Sequence, residues 1–106
     1  MTTRQLELAS QVLKDFESIQ RFYAAKNPLV GAKIIDAIDQ AIGLVAENPQ
    51  LYSFSHLVPT VRSKVVEPHR DYSIVYRFDD SIVLILTIWD NRQNPAKLLS
   101  LLKTSL

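Results

Sequence analysis

The feature that most constrains the fold is the segment Ile82–Trp89, which is apolar at every position except Thr87. A short apolar run of this kind is typical of a strand, and apolar side chains on both of its faces require a packing layer on each side. The run is far too short to span a bilayer, which takes about 20 apolar residues. It therefore predicts a central strand, covered on both sides over much of its length.

Two further strands precede this central strand. Residues 61–66 and residues 72–78 each alternate between two faces, and in the first of them Arg62 and Lys64 project from the same side. The triplet Asp79-Asp80-Ser81 is rich in turn-forming residues. We therefore expect the second strand and the central strand to form a hairpin.

The chain upstream predicts a strand and two amphipathic helices. Alternation in Arg4–Leu8 indicates a short half-buried strand, and Ser10 is expected to cap a helix over residues 11–26. Asn27-Pro28 ends this helix and begins the next, because asparagine is an N-cap residue and proline suits the first helical position. The second helix is predicted to end near Asn48-Pro49. So short a joint makes an antiparallel helical hairpin.

Several residues outside the apolar stripes have plain structural interpretations. The polar residues of the two helices are interpreted as solvated surface, among them Lys14, Asp15, Lys33, Asp36 and Asp39. In the irregular connection after the hairpin, Tyr52, Phe54 and Leu57 are expected to tuck under the edge of the sheet. His56, in the same connection, is interpreted as a turn or packing residue.

A third helix is predicted to begin at Asn94-Pro95, with Leu98, Leu99 and Leu102 on its apolar side. The predicted order is therefore β-α-α-β-β-β-α, an α+β fold in a single domain over residues 1–106. The helical hairpin packs on one face of a small, mostly antiparallel sheet. The other face is covered by the last helix or by another chain.

Composition and charge exclude several classes of protein. The chain has no cysteine, which excludes disulfides, thiolate metal sites and cysteine nucleophiles, and its only histidines are His56 and His69. We predict no metal and no cofactor. The N-terminus lacks a signal-peptide pattern, so a cytoplasmic location and no membrane partner are expected. The net charge of +1 is too small to indicate general affinity for nucleic acid, although residues 62–106, with seven basic against five acidic residues, are the more basic part.

Three motifs carry a resemblance to a known family. They are the Asn-Pro joint of the helical hairpin, the strand Tyr72-x-Ile74-x-Tyr76-Arg77 and the segment Trp89–Pro95. Arg62 lies between the joint and that strand. Together with the order of elements, they resemble the RelE/ParE superfamily of bacterial type II toxin–antitoxin systems over nearly the whole chain. The resemblance implies a small toxin, often linked to plasmid stabilisation, that arrests growth and is neutralised by a cognate antitoxin in a hetero-oligomer.

The resemblance leaves two targets open. RelE-like toxins cleave mRNA on the ribosome without a metal, whereas ParE-like toxins inhibit DNA gyrase, and both share one fold. Metal-free cleavage of RNA needs a group that activates the 2′-OH, cations that stabilise the phosphate charge, and an acid for the leaving oxygen. The choice between the two must therefore rest on the site residues.

The RelE-like pattern matches this chain only in part. Lys64 and Arg92 fall at the family's positions for a lysine on the first sheet strand and an arginine after the last strand. The arginine of the middle strand falls on Ser73, and the tyrosine of the C-terminal tail falls near Leu98. His69 is a candidate base that lacks an evident orienting partner. The incomplete set and a sequence pI of about 8.0 favour a ParE-like gyrase inhibitor with no catalysis of its own.

Two alternatives remain open beside that interpretation. A ribosome-dependent endoribonuclease would use Lys64, Arg92 and His69, and an inactive toxin-like chain would serve only as a binding module. The candidate target-binding residues are Arg62, Arg70, Arg77 and Trp89.

Each of these candidates also has a structural interpretation. Arg62 and Lys64 could be strand-edge charges, Arg77 could pair with the neighbouring aspartates, and Trp89 could anchor the last helix. The antitoxin is expected to lie over the helical hairpin or the less covered face of the sheet, as an added strand or an amphipathic helix.

Overall fold

The computed structural model describes residues 4–105 of the chain. Its strands are β1 (Gln5–Leu8), β2 (Arg62–Val65), β3 (Tyr72–Phe78) and β4 (Ile82–Asp90), and its α-helices are α1 (Ser10–Ala24), α2 (Pro28–Glu47) and α3 (Pro95–Ser105). The strands form one sheet in the order β1-β4-β3-β2. Only β1 and β4 pair in parallel; the other two pairings are antiparallel. The predicted α+β class and the order β-α-α-β-β-β-α are confirmed.

Strand β4 is the central strand that its apolar sequence predicts. It lies between β1 and β3, and its side chains enter two separate apolar clusters. The cluster between the sheet and the α1–α2 hairpin includes Val12, Ile38, Ile74, Tyr76, Val83 and Ile85. The cluster on the opposite face includes Val75, Leu86, Trp89, Leu98 and Leu102. Helix α3 is therefore the second covering layer, one of the two alternatives that the sequence left open.

The α1–α2 hairpin has a capped joint and an unusually close contact. The side chain of Asn27 accepts a hydrogen bond from the backbone N–H of Val30 at 3.2 Å, and Pro28 is the first helical residue, as predicted. A Cβ atom added at Gly31 would lie 2.7 Å from the Cβ of Tyr23. Glycine at position 31 thus allows the two helices to approach at this point.

Two predictions at the N-terminus are wrong in detail. Strand β1 is exposed along its whole length rather than half-buried, because it is an edge strand that no helix covers. Helix α1 begins at Ser10, its N-cap residue is Ala9, and no side chain caps it, so Ser10 is not the cap. Capping propensity alone did not locate the first residue of this helix.

The connection between α2 and β2 departs from the prediction and covers an edge of the sheet. It starts with a 3-10 turn, Pro49–Leu51. Residues 53–55 then run beside β2, with Ser55 N–H donating to the Val61 carbonyl at 2.8 Å and Ser63 N–H to the Ser53 carbonyl at 3.0 Å. Tyr52 packs against the hairpin-side core, but Phe54 is 54% exposed and Leu57 is 43% exposed, so these two do not tuck under the sheet.

Strand β4 carries a register shift that affects the site. Val75 of β3 faces Thr87, whereas the next residue, Tyr76, faces Ile85, so Leu86 is an extra residue in β4. A bulge of this kind turns the strand locally and changes which side chains reach each face. Thr87, the single polar residue in the apolar run, consequently contacts helix α1.

Candidate functional site

The end of the sheet where β4 finishes, here called the Arg92 end, is built around one ion-paired arginine. The guanidinium of Arg92 donates two hydrogen bonds of 2.9 Å to the carboxylate of Asp90, from Nε and from Nη2. Its Nη1 lies 3.7 Å from a carboxylate oxygen of Asp71. Nη2 also donates to the hydroxyl of Tyr72 at 3.3 Å. The charge of Arg92 is thus largely neutralised within the chain.

Three groups at the Arg92 end, Arg92, Asp90 and Tyr72, have pKa values shifted away from neutral pH. The hydrogen bonds that Arg92 donates to the Asp90 carboxylate raise the pKa of Arg92. Burial would raise the pKa of Asp90, but the bonds from Arg92 bring it below its usual value. Burial, together with the neighbouring Tyr23, raises the pKa of Tyr72 well above 10. None of these groups is poised to exchange a proton near pH 7, where general acid–base catalysis works best.

Beside this cluster, a half-buried carboxylate ties helix α1 to strand β4. One oxygen of Asp15 accepts hydrogen bonds from the Thr87 hydroxyl at 2.6 Å and from the Ile88 N–H at 2.9 Å, and the other accepts from Gln11 at 2.9 Å. Burial raises the pKa of Asp15, and these hydrogen bonds oppose the shift. Asp15 is not solvated surface, so that prediction is wrong.

The contact with Asp15 marks an incomplete edge of the sheet. Strand β1 pairs with β4 only over Ile82–Ile85, and the Ala9 N–H makes the last bond, to the Ile85 carbonyl at 2.9 Å. Beyond that point the Ile88 N–H points away from β3 and meets a side chain instead of a strand. This part of β4 borders a groove of about 410 Å³ between α1 and α3, whose lining includes Asp15, Phe22, Ile88, Asp90 and Lys97.

The opposite end of the sheet carries arginines and phenylalanines in alternation. The guanidinium of Arg62 lies 4.2 Å from the ring centre of Phe54 and 5.4 Å from that of Phe78, and the guanidinium of Arg4 lies 5.1 Å from Phe78. Arg77 is exposed and lines two shallow cavities together with Phe78. We call Arg4, Phe54, Arg62, Arg77 and Phe78 the Arg–Phe surface.

The residues predicted for RNA cleavage do not meet in one cluster. Lys64 lies opposite Ile74, two residues along β3 from Tyr72, and its ammonium packs 4.8 Å from the ring centre of Tyr52, whereas Arg92 is bonded to Asp90. His69 lies in the turn between β2 and β3, where its carbonyl accepts from the Tyr72 N–H. Ser73 is buried, and its hydroxyl accepts a 2.9 Å hydrogen bond from Asn91.

The predicted target-binding residues are divided among three places. Arg62 and Arg77 belong to the Arg–Phe surface, whereas Arg70 pairs with Glu67 in the β2–β3 turn. Within residues 4–105, Arg77 forms no ion pair with the neighbouring aspartates. Trp89 is 7% exposed and packs in the cluster under α3, which is the anchoring role that the sequence offered as one interpretation.

Sequence reasoning missed Asp15, Thr87 and Arg4 as site residues, and the first two had a signal in the sequence. Asp15 is spaced three and four residues from Val12 and Ile19, which places it on the edge of the buried stripe of α1. Thr87 is likewise an isolated polar residue in an apolar segment, and the two pair with each other. Arg4 had no such signal, because its contact with Phe78 depends on the parallel pairing of β1.

Two further features concern metal sites and membrane spans. In the described part of the chain, no group of three or more histidine, aspartate or glutamate residues is placed to hold a metal ion. No helix among residues 4–105 is both long and apolar enough to cross a membrane.

Comparisons with known proteins agree with the geometry. The solved structure described as the chromosomal ParDE toxin–antitoxin system from P. aeruginosa matches with a TM-score of 0.73 and 19% identity, covering 85% of this chain and 98% of the other. At that identity the match supports the fold alone. No curated protein sequence matches the chain. The model of the ParE toxin of type II toxin–antitoxin systems matches residues 6–95, and the chain therefore belongs to the ParE toxin family.

Proposed function

We propose that this protein is a toxin that inhibits DNA gyrase by binding to it, without catalysis of its own, and that a cognate antitoxin neutralises it. The observation that carries the proposal is the match of residues 6–95 to the ParE toxin family. The expectation of gyrase as the target comes from the resemblance to ParE-like toxins and from the incomplete nuclease set.

The contacts of the candidate nuclease residues support a binding function. Metal-free cleavage requires cations and a proton-transfer group directed at one phosphate. Here Arg92 is neutralised by Asp90, and Lys64 packs on Tyr52. At the position where a RelE-like nuclease carries an arginine, this chain has Ser73, which is buried on the face of the sheet that α3 covers. An arginine in its place would point into the core rather than toward a substrate.

A supercoiling assay with the purified chain tests the target. We expect the toxin to abolish supercoiling by gyrase and the protein from the adjacent reading frame to restore it. Gyrase that remains fully active with the toxin in molar excess would contradict the proposal. New 5′ ends in translated mRNA, seen by primer extension and lost in Arg92→Ala, would instead favour the endoribonuclease.

We further propose that the antitoxin occupies the groove between α1 and α3. An extended segment entering it would lie along the part of β4 that β1 leaves unpaired, where it would replace Asp15 as the acceptor of the Ile88 N–H and add main-chain hydrogen bonds. Phe22 lines the groove and is 47% exposed, so it offers an apolar contact. Lys97 on the α3 side adds a positive charge at the same groove.

Co-purification with the antitoxin tests this location. We expect Phe22→Glu to weaken the complex by about tenfold or more, because it places a charge in a buried contact. Leu29→Glu is the matched control, since Leu29 is 70% exposed and does not line the groove. Equal losses in the two variants, or none in either, would place the antitoxin elsewhere.

A further inference from the structure

The Arg–Phe surface combines residues from four parts of the chain at one end of the sheet. Arg4 precedes β1, Phe54 lies in the connection that covers β2, Arg62 begins β2, and Arg77 and Phe78 end β3. Nothing in the proposed contact with an antitoxin uses them, because that groove lies at the Arg92 end. The surface therefore lies apart from the groove and shares no residue with its lining.

The arginines of this surface keep their positive charge available. In the described part of the chain, Arg4, Arg62 and Arg77 form no ion pair with a carboxylate. Arg4 donates to the backbone carbonyl of Asp79 at 2.7 Å, and Arg62 donates to that of Tyr52 at 2.6 Å. A neutral carbonyl orients a guanidinium without cancelling its charge, and aromatic stacking does the same.

The carboxylate of Asp79, which adjoins this surface, already accepts hydrogen bonds within the turn between β3 and β4. Asp79 Oδ1 accepts the Ser81 N–H at 2.7 Å and the Ile82 N–H at 2.9 Å. These bonds, with a smaller contribution from Arg4 and Arg77, lower the pKa of Asp79 and keep it ionised. Asp79 and Asp80 reduce the net charge of this end, so it is positive without being a strong polycation.

The shape of the surface fits protein side chains better than a small ligand. Arg77 and Phe78 line two cavities, one of about 180 Å³ next to Phe54 and Arg62 and one of about 250 Å³ next to Asp79 and Ile82. Pockets for small molecules usually measure roughly 300–1,000 Å³ and are enclosed. Arginines and aromatic rings around small apolar depressions are typical of the centres of protein interfaces.

We propose that the Arg–Phe surface binds an acidic segment of a protein partner, whose carboxylates meet Arg4 and Arg77 while apolar side chains enter the two cavities. Arg62 is a positioning residue, since it holds Phe54 and Phe78 in place. An acidic peptide fits better than nucleic acid, because the chain has a net charge of only +1 and phosphate binding requires a stronger basic patch. The proposal does not depend on gyrase being the target.

Fluorescence anisotropy with the purified full-length chain tests the proposal. The probe is a short fluorescein-labelled peptide in which glutamates flank two leucines. Its two comparisons are the same peptide with lysines and a labelled single-stranded oligothymidylate. We expect the glutamate peptide to bind the chain, more weakly as salt is raised, and the other two probes to bind less well.

Charge reversals locate the contact. Arg77→Glu and Arg4→Glu, on different elements, should each weaken binding of the glutamate peptide by about tenfold, because each sets like charges against each other. Lys33→Glu on the exposed side of α2 makes the same change in net charge and should leave the affinity within about threefold. Melting curves confirm that the variants are folded.

Three results would overturn the proposal. The first is no binding of the glutamate peptide at low salt. The second is an equal loss of affinity in Lys33→Glu, which would indicate general attraction by net charge. The third is tighter binding of the oligothymidylate, which would make the surface a nucleic-acid contact.

Discussion

At the end of the sheet where β4 finishes, Arg92 is held by the carboxylates of Asp90 and Asp71, whereas at the other end the guanidiniums of the Arg–Phe surface rest on aromatic rings and backbone carbonyls. Both ends are rich in arginine, yet only one of them neutralises it. An ion pair that is satisfied within the chain orients its neighbours and has little left to offer a partner. A guanidinium on a ring keeps its charge for a contact outside the chain.

This comparison indicates different roles for the two ends. The Arg92 end ties α1, β3 and β4 together through Asp15 and Arg92, so we interpret its polar residues as structural. In the Arg–Phe surface, Arg62 and Arg4 are each held by a backbone carbonyl and an aromatic ring, Arg77 is exposed, and none of the three forms an ion pair among residues 4–105. Substitutions at the two ends should therefore separate effects on stability from effects on binding.

The largest effect is expected from Asp15→Ala. The change removes the acceptor of the Thr87 hydroxyl and of the Ile88 N–H, and an unsatisfied buried donor costs about 2 kcal/mol. The free energy of unfolding, measured with urea at pH 7, should fall by about that amount. Asp39→Ala on the exposed side of α2 is the control and should stay within about 0.5 kcal/mol. A similar fall in the free energy of unfolding of both variants would contradict a structural role for the Arg92 end.

Arg62→Ala tests the arginine of the Arg–Phe surface that lies between two aromatic rings. It removes the hydrogen bond to the Tyr52 carbonyl and the stacking on Phe54 and Phe78, so we expect a loss of about 1.5 kcal/mol. Arg62→Lys keeps the positive charge but lacks the planar guanidinium, so it should recover only a small part of the lost stability. Full recovery of stability in the lysine variant would mean that charge alone, and not stacking, holds the connection between α2 and β2 in place.

Two aspartates at the Arg92 end should show opposite dependence on pH. The pKa of Asp90 is lowered from 3.8 in the fold, so its contribution to stability is present above that value and is lost as the pH falls through the folded pKa. The pKa of Asp15 is raised from 3.8, so the part of its contribution that depends on pH is full below that value and is lost as the pH rises through the folded pKa, whereas its hydrogen bonds with Thr87 and Ile88 remain at pH 7.

Urea denaturation from about pH 3 to pH 7 measures both slopes. The stability difference between the wild type and Asp90→Asn should shrink toward low pH, and that between the wild type and Asp15→Asn should shrink toward high pH. Each change should stay below about 1 kcal/mol, since both carboxylates keep some contact with solvent. Slopes of the same sign would contradict the assigned environments.

The smallest effect on stability is expected at Arg77. Because Arg77 is exposed and forms no ion pair among residues 4–105, Arg77→Ala should change the free energy of unfolding by less than about 0.5 kcal/mol. Arg92→Ala, the matched change at the other end, should cost about 1 kcal/mol, because it leaves Asp90 unpaired. Equal losses at both positions would remove the distinction between the two ends.

The sequence predicted the elements well because each of them carries its own periodicity. Apolar side chains on both faces identified β4 as the central strand, and Asn27-Pro28 identified the joint of the hairpin, since both signals are local. The exposure of Phe54 and Leu57 was predicted wrongly, because it depends on a connection that pairs with β2 instead of passing beneath it.

The site was harder to predict than the fold. Arg4 and Arg62 are far apart in the chain and meet at Phe78 only through the order of the strands. Arg92 was identified from its position after the last strand, but its pairing with Asp90 and Asp71 could be seen only in the folded chain. Spacing in a sequence indicates which side chains share a face, whereas charge neutralisation depends on contacts between elements.

The connection that runs beside β2 has a consequence for how the sheet can extend. Residues 53–55 occupy the β2 edge as an irregular segment, so within the described chain the flat edge left for another strand lies on the side of β1 and the upper part of β4. Two copies that paired edge to edge would do so through the same open side, and the pair would present no second flat edge. Edge-to-edge pairing through this side would therefore stop at two copies.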